Sequence, residues 1–129
     1  YRMPNINAAL GCGQIENLDK IINSKRKLFY MYKKAFNKFE DISIFCEPED
    51  CKSNYWLNTI ILNSKVEIFR DDIINDLREL NILVRPAWEL LNTLAPFKQY
   101  PSMECTNAEK ILRSVINIPS SPSILGIKQ

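Results

Sequence analysis

Ser53-Asn54-Tyr55-Trp56-Leu57-Asn58-Thr59-Ile60-Ile61-Leu62 is the stretch on which the fold turns. From Tyr55 onward both alternating sets, Tyr55/Leu57/Thr59/Ile61 and Trp56/Asn58/Ile60/Leu62, are largely apolar. A strand with one wet face alternates apolar and polar residues. This pattern therefore predicts a strand over Tyr55–Leu62, central in a sheet and covered on both faces.

Upstream, Ile42-Ser43-Ile44-Phe45-Cys46 predicts a short strand, followed by the polar loop Glu47-Pro48-Glu49-Asp50. Before it, Leu18, Ile21, Ile22, Leu28, Phe29, Tyr32, Phe36 and Phe39 fall on one stripe at helical spacing. The opposite side carries Lys20, Lys25, Arg26, Lys27, Lys33, Lys34 and Lys38, and the ordinary meaning of such a run is a solvated helix face. An earlier helix follows Pro4, whose missing N–H costs nothing in a first turn. Ile6, Ala8, Ala9, Leu10, Gly11, Cys12, Gly13 and Ile15 ring it with small or apolar residues. A helix apolar all round is normally buried all round, so a partner or a larger protein is expected to cover this one.

Downstream, Phe69, Ile73, Leu77 and Leu80 predict a helix, with Asp71 and Asp72 at its positive end. Asn81 is suited to the left-handed conformation that ends it. Ile82-Leu83-Val84 reads as a strand that Arg85-Pro86-Ala87-Trp88 interrupts, because Pro86 has no N–H for a ladder and pushes Arg85 toward an extended backbone. A fixed Arg beside an indole suits an anion and a ring. A helical turn over 90–94, a helix over 108–114 and a strand over 115–118 complete the pattern, and the Ser- and Pro-containing tail after Ser120 is expected to be loose.

Helices and strands in this order predict an α/β (α+β) domain with a small, mostly antiparallel sheet packed against two long helices. The 129 residues suit one domain, and 46% apolar with 25% charged residues excludes disorder and collagen-like repetition. Seventeen Lys and Arg against fifteen Asp and Glu leave a net charge of +2, too small for a phosphate-backbone binder, so no nucleic-acid partner is expected. No apolar run reaches membrane-span length and no signal-peptide core follows Tyr1-Arg2-Met3-Pro4, which predicts a cytoplasmic protein with no membrane partner. Cys12, Cys46, Cys51 and Cys105 show no Cys-x-x-Cys spacing, and the chain has no His. No metal site is expected, the thiols are expected reduced and mostly buried, and no His-dependent catalytic group can be assembled.

Five strings occur in a telling order: Tyr-Arg-Met-Pro-Asn (1–5), Asn-Ala-Ala-Leu-Gly (7–11) with Gln14, Ser-Asn-Tyr-Trp-Leu-Asn (53–58), Arg-Pro-Ala-Trp (85–88) and Asn-Ile-Pro-Ser-Ser (117–121). Together they resemble the C-terminal third of the pyridoxal-phosphate-dependent sugar-nucleotide aminotransferases, and most nearly the branch serving legionaminic-acid-type sugars. The resemblance implies the small domain of a fold-type-I enzyme. Residues 1–39 would be a helical segment leaving an absent large domain, 40–119 the small α/β domain and 120–129 a tail. It implies that the cofactor-bearing Lys lies upstream, so no catalytic residue is assigned in this chain. Tyr1, Arg2 and Asn5 match a motif near the cofactor phosphate and the neighbouring subunit, although the Asn that usually precedes Tyr1 is absent. Arg85 and Trp88 match a substrate-facing motif, with Asn54 and Trp56 as further substrate contacts; Trp56 stands where many relatives have a His. A sugar nucleotide and glutamate are the implied substrates, and a homo-oligomer the implied assembly. The competing expectation is a non-catalytic module that binds sugar nucleotides or pairs with a full-length homologue.

Overall fold

The computed structural model describes residues 2–126. Its first two helices, α1 (Asn5–Glu16) and α2 (Leu18–Phe36), meet at Asn17, whose side-chain amide donates to the Gly13 carbonyl at 2.9 Å. Strands β1 (Ile42–Ile44) and β2 (Asn58–Leu62) follow, then α3 (Arg70–Glu79), β3 (Arg85–Pro86), α4 (Thr106–Ser114) and β4 (Val115–Ile118). Short 3-10 turns lie at Glu67–Phe69, Leu91–Thr93 and Pro122–Leu125. The sheet order is β1-β2-β4-β3, antiparallel throughout.

One face of this sheet is the core. Ile60 and Leu62 of β2, Ile116 and Ile118 of β4, Ile74 of α3 and Val84 form one buried cluster, against which Tyr32 and Phe36 of α2 and Ile73 and Leu77 of α3 pack. At about 1.5 to 3 kcal/mol per fully buried aliphatic side chain, this layer drives the fold. The expected architecture, a small antiparallel sheet against helices, is the one observed.

Several details differ from the expectation. β2 is central, flanked by β1 and β4, but it begins at Asn58 and only its Asn58/Ile60/Leu62 face is buried; Thr59 and Ile61 are half-buried. Both packing helices lie on that one face, which leaves the other partly open. β1 ends at Ile44, and the 82–84 stretch is not a strand. The strand is Arg85-Pro86 itself, paired with Asn117 and Ile116. Pro86 is tolerated because β3 is an edge strand, where a missing donor breaks no second ladder. The α3 stripe centres on Ile73, Ile74 and Leu77, while Phe69 and Leu80 are exposed; Asn81 takes the expected left-handed backbone at φ 59°. Phe39 lies beyond α2 and is exposed.

Cys12, Cys46 and Cys51 are exposed and Cys105 half-buried, all free, so the expectation of buried thiols fails: each stands on an open helix face or a loop. Of the tail expected to be loose after Ser120, residues 127–129 lie outside the described residues, and the described part is tethered at its start. Lys25 Nζ donates to the Ser120 carbonyl at 3.1 Å, Ser120 Oγ donates to the Trp56 carbonyl at 2.6 Å, and Pro122 is fully buried. α1 contributes no buried residue, and its Ile6, Leu10 and Ile15 are among the exposed large hydrophobics. No described helix is long and apolar enough to cross a membrane.

Candidate substrate-facing site on the open face of the sheet

The entry to β2 is a built turn. Tyr55 adopts φ 46°, a left-handed conformation that costs a non-glycine residue roughly 1 to 2 kcal/mol. Neighbouring groups hold it there. Its N–H donates to Ser53 Oγ at 3.0 Å, and its ring stacks on Phe29 of α2 with centroids 3.9 Å apart and planes 10° from parallel. The Arg26 guanidinium lies 5.3 Å from the same ring and donates to Glu47 Oε2 at 3.0 Å and to the Ser53 carbonyl at 2.7 Å. The Ser53 N–H in turn donates to Glu47. Inside this turn Asn54 Oδ1 accepts from the Trp56 N–H at 3.0 Å, so Asn54 shapes the loop that presents Trp56.

The Arg26 guanidinium and the Ser53 N–H hold the Glu47 carboxyl well below the usual carboxylate range, at about 2. Such a carboxylate stabilises the fold above its unfolded value of about 4.5 and loses that contribution as pH falls toward 2. The gap in urea midpoint between the natural chain and Glu47→Gln is therefore expected to be wide at pH 6 and to shrink at pH 2.5. A gap independent of pH would remove Glu47 from the brace.

Trp56 and Trp88 meet across the sheet. Their ring centroids are 6.4 Å apart, with planes 23° from parallel, and the residues are 63% and 71% exposed. Arg85, three residues before Trp88, is exposed and makes no ion pair among the described residues. Thr59 pairs with Asn117, and Asn117 with Arg85, which puts these side chains in one polar row on the open face. Beside the row is a concavity of about 380 Å³ whose lining includes Phe45, Lys52, Tyr55, Leu57 and Thr59.

The expected substrate contacts Arg85, Trp88, Asn54 and Trp56 thus belong to two segments that the sheet brings together. Arg2 and Asn5 do not join them: they stand exposed at the start of α1, and Tyr1 lies outside the described residues. An imine-forming Lys needs an enclosed pocket and a counter-group. The Lys whose ammonium is destabilised by burial, Lys25, is engaged by the Ser120 carbonyl instead.

Arg26, Glu47, Tyr55, Thr59 and Asn117 were not legible as site residues. Arg26 sits in a basic run and Glu47 in an acidic loop, 21 positions apart, so only the fold pairs them. The signal available for Asn117 is its place as the one polar residue in the strand Val-Ile-Asn-Ile.

Across residues 1–127 the chain matches the DegT/DnrJ/EryC1/StrS aminotransferase family. It is 32% identical over 124 residues to GDP-perosamine synthase of Escherichia coli O157:H7, covering 96% of this chain and 33% of that protein. Its fold superposes on Helicobacter pylori PseC, an aminotransferase involved in the biosynthesis of pseudoaminic acid, with a TM-score of 0.87 at 17% identity, covering 95% of this chain and 33% of that one. DesI, crystallised in the presence of its TDP-sugar product, gives a TM-score of 0.85 at 15% identity over 94% of this chain and 31% of that one. The chain thus spans about a third of the length of the relatives it matches. With that coverage, and with the Arg-Pro-Ala-Trp and Ser-Asn-Tyr-Trp segments on one face, the chain belongs to the DegT/DnrJ/EryC1/StrS aminotransferase family.

Proposed function

We propose that the chain is the small-domain portion of a pyridoxal-phosphate-dependent aminotransferase that aminates a 4-keto sugar nucleotide, with glutamate as donor, in the building of cell-surface polysaccharide or a nonulosonic sugar of the legionaminic type. Its part is to form the sugar-nucleotide side of the pocket. The observation that carries this reading is the exposed Arg85, three residues before Trp88 and on a strand of the sheet across which Trp56 and Trp88 meet, in a chain matched to the family over its length. A guanidinium offers paired donors to a phosphate or sugar oxygen, and the indoles offer flat walls. The cofactor would be held by residues outside this chain, with Tyr1, Arg2 and Asn5 near its phosphate. The exposed Ile6, Leu10 and Ile15 of α1 support a protein in which other segments, or a second subunit of a homo-oligomer, cover that helix. A cytoplasmic enzyme fits the supply of nucleotide-linked substrates.

Expressing any in-frame sequence upstream of Tyr1 together with this chain, and assaying amination of a 4-keto sugar nucleotide, tests the reading. No amination with any such sugar would favour a non-catalytic module that binds sugar nucleotides or pairs with a homologue. The chain by itself is expected to trap no pyridoxal phosphate on borohydride reduction. Stoichiometric labelling of one Lys, mapped by mass spectrometry, would contradict the assignment of the imine to upstream residues.

A further inference from the structure

β3 has two residues, paired only with Asn117 and Ile116 of β4. So short an edge needs another tie if Arg85 and Trp88 are to keep a fixed place. The Asn117 side chain supplies it. Thr59 Oγ1 donates to Asn117 Oδ1 at 2.8 Å, which fixes which end of the amide faces β2. The other end, Nδ2, donates to the Pro86 carbonyl at 3.3 Å. One side chain in β4 thereby links the central strand to the edge strand, directly opposite Arg85 in the register.

We infer that Asn117 is a positioning residue, oriented by Thr59, that sets the place of Arg85 and Trp88 against Trp56. The inference rests on the reading of Arg85 as a substrate contact only for its functional meaning; the geometric claim stands without it. Asn117 touches Pro86 rather than the ligand groups, and it acts through them.

The chain contains two tryptophans, Trp56 and Trp88, so its indole signals report this site without background. The experiment compares the natural chain with Asn117→Ala, Asn117→Asp, Thr59→Val and Thr59→Ser. It reads the exciton couplet of the indole pair in circular dichroism and hydrogen exchange at the Arg85 amide by NMR. Asn117→Asp keeps the acceptor for Thr59 and loses the donor to Pro86; Thr59→Val removes the group that orients the amide. Both are expected to weaken the couplet and to speed Arg85 exchange about two- to tenfold, the effect of losing one hydrogen bond. Exchange at Ser43 and Ile61, on the β1–β2 side, should stay as it is. Thr59→Ser, which retains the hydroxyl, should restore the natural signals.

If the variants lower the melting temperature while couplet and Arg85 exchange are unchanged, Asn117 is a stabilising residue only and the inference is overturned. A Thr59→Val chain with natural signals would overturn the orienting role of Thr59. Should Asn117→Ala fail to fold, Asn117→Asp and Thr59→Val still decide. No substrate enters these measurements, so their failure is distinct from failure of the proposed activity.

Discussion

Phe29→Ala is expected to cost the chain about 3 to 5 kcal/mol, the usual range for deleting a fully buried aromatic side chain. Phe29 is 2% exposed and packs with Ile44 and Tyr55 in a cluster separate from the main core. For a domain of this size the loss corresponds to a fall in melting temperature of roughly 10 to 20 °C, read by far-ultraviolet circular dichroism. A second effect should accompany it at temperatures where the variant is still folded. Tyr55 holds a left-handed backbone against the Phe29 ring, so removing the ring releases the turn that presents Trp56, and the indole emission should shift. Phe29→Leu, which fills most of the space but cannot stack, should recover much of the melting temperature and little of the indole signal. A Phe29→Ala chain that melts within about 2 °C of the natural one would show that α2 does not brace this turn.

Arg85→Ala, made in the intact protein, is expected to raise the Michaelis constant for the sugar nucleotide by about ten- to a hundredfold. A charge-assisted hydrogen bond is worth roughly 1.5 to 3 kcal/mol, and about 1.4 kcal/mol is a factor of ten. The half-reaction with glutamate should change much less, because Arg85 stands on the sugar-nucleotide side of the proposed site. Lys at this position should rescue in part, since a point charge does not reproduce the planar fork. Stability should move little: the side chain is exposed and carries no ion pair among the described residues. Equal losses in both half-reactions, or a collapsed melting transition, would make Arg85 a structural residue.

The elements that were legible are those set by local chemistry. Asn81 ends α3 in a left-handed conformation because its short amide tolerates positive φ. Val115–Ile118 is a strand closed by Pro119, the 91–93 turn lies within the expected 90–94, and the helix expected over 108–114 is present but begins two residues earlier, at Thr106. The errors have a common cause. Whether β2 is covered on one face or two depends on where α2 and α3 dock, and alternation within the strand does not contain that information. By itself Arg85-Pro86 reads as a break because Pro lacks a donor; on an edge, facing one partner, that lack costs nothing. The apolar alternating sets extend the strand expectation back to Tyr55, yet the Phe29 stack and the Arg26–Glu47–Ser53 hydrogen bonds hold its backbone in a turn.

For the site, the sequence by itself determined which residue types are present and which are missing. Without a His there is no His-dependent catalytic group, and the Arg-Pro-Ala-Trp and Ser-Asn-Tyr-Trp strings carried the resemblance to the family. What only the tertiary structure decided is which residues meet. Trp56 and Trp88 are 32 positions apart, Thr59 and Asn117 are 58 apart, and Arg26 and Glu47 are 21 apart. The first pair meets across the sheet, the second through strand register, and the third because α2 packs over β1. Hydrogen bonds and ring contacts act over a few ångströms, whereas periodicity reports only which side of its own element a residue faces. Register and docking convert that local knowledge into neighbours, and only then does Arg85 join Asn117 and Thr59 in one polar row and Trp56 meet Trp88.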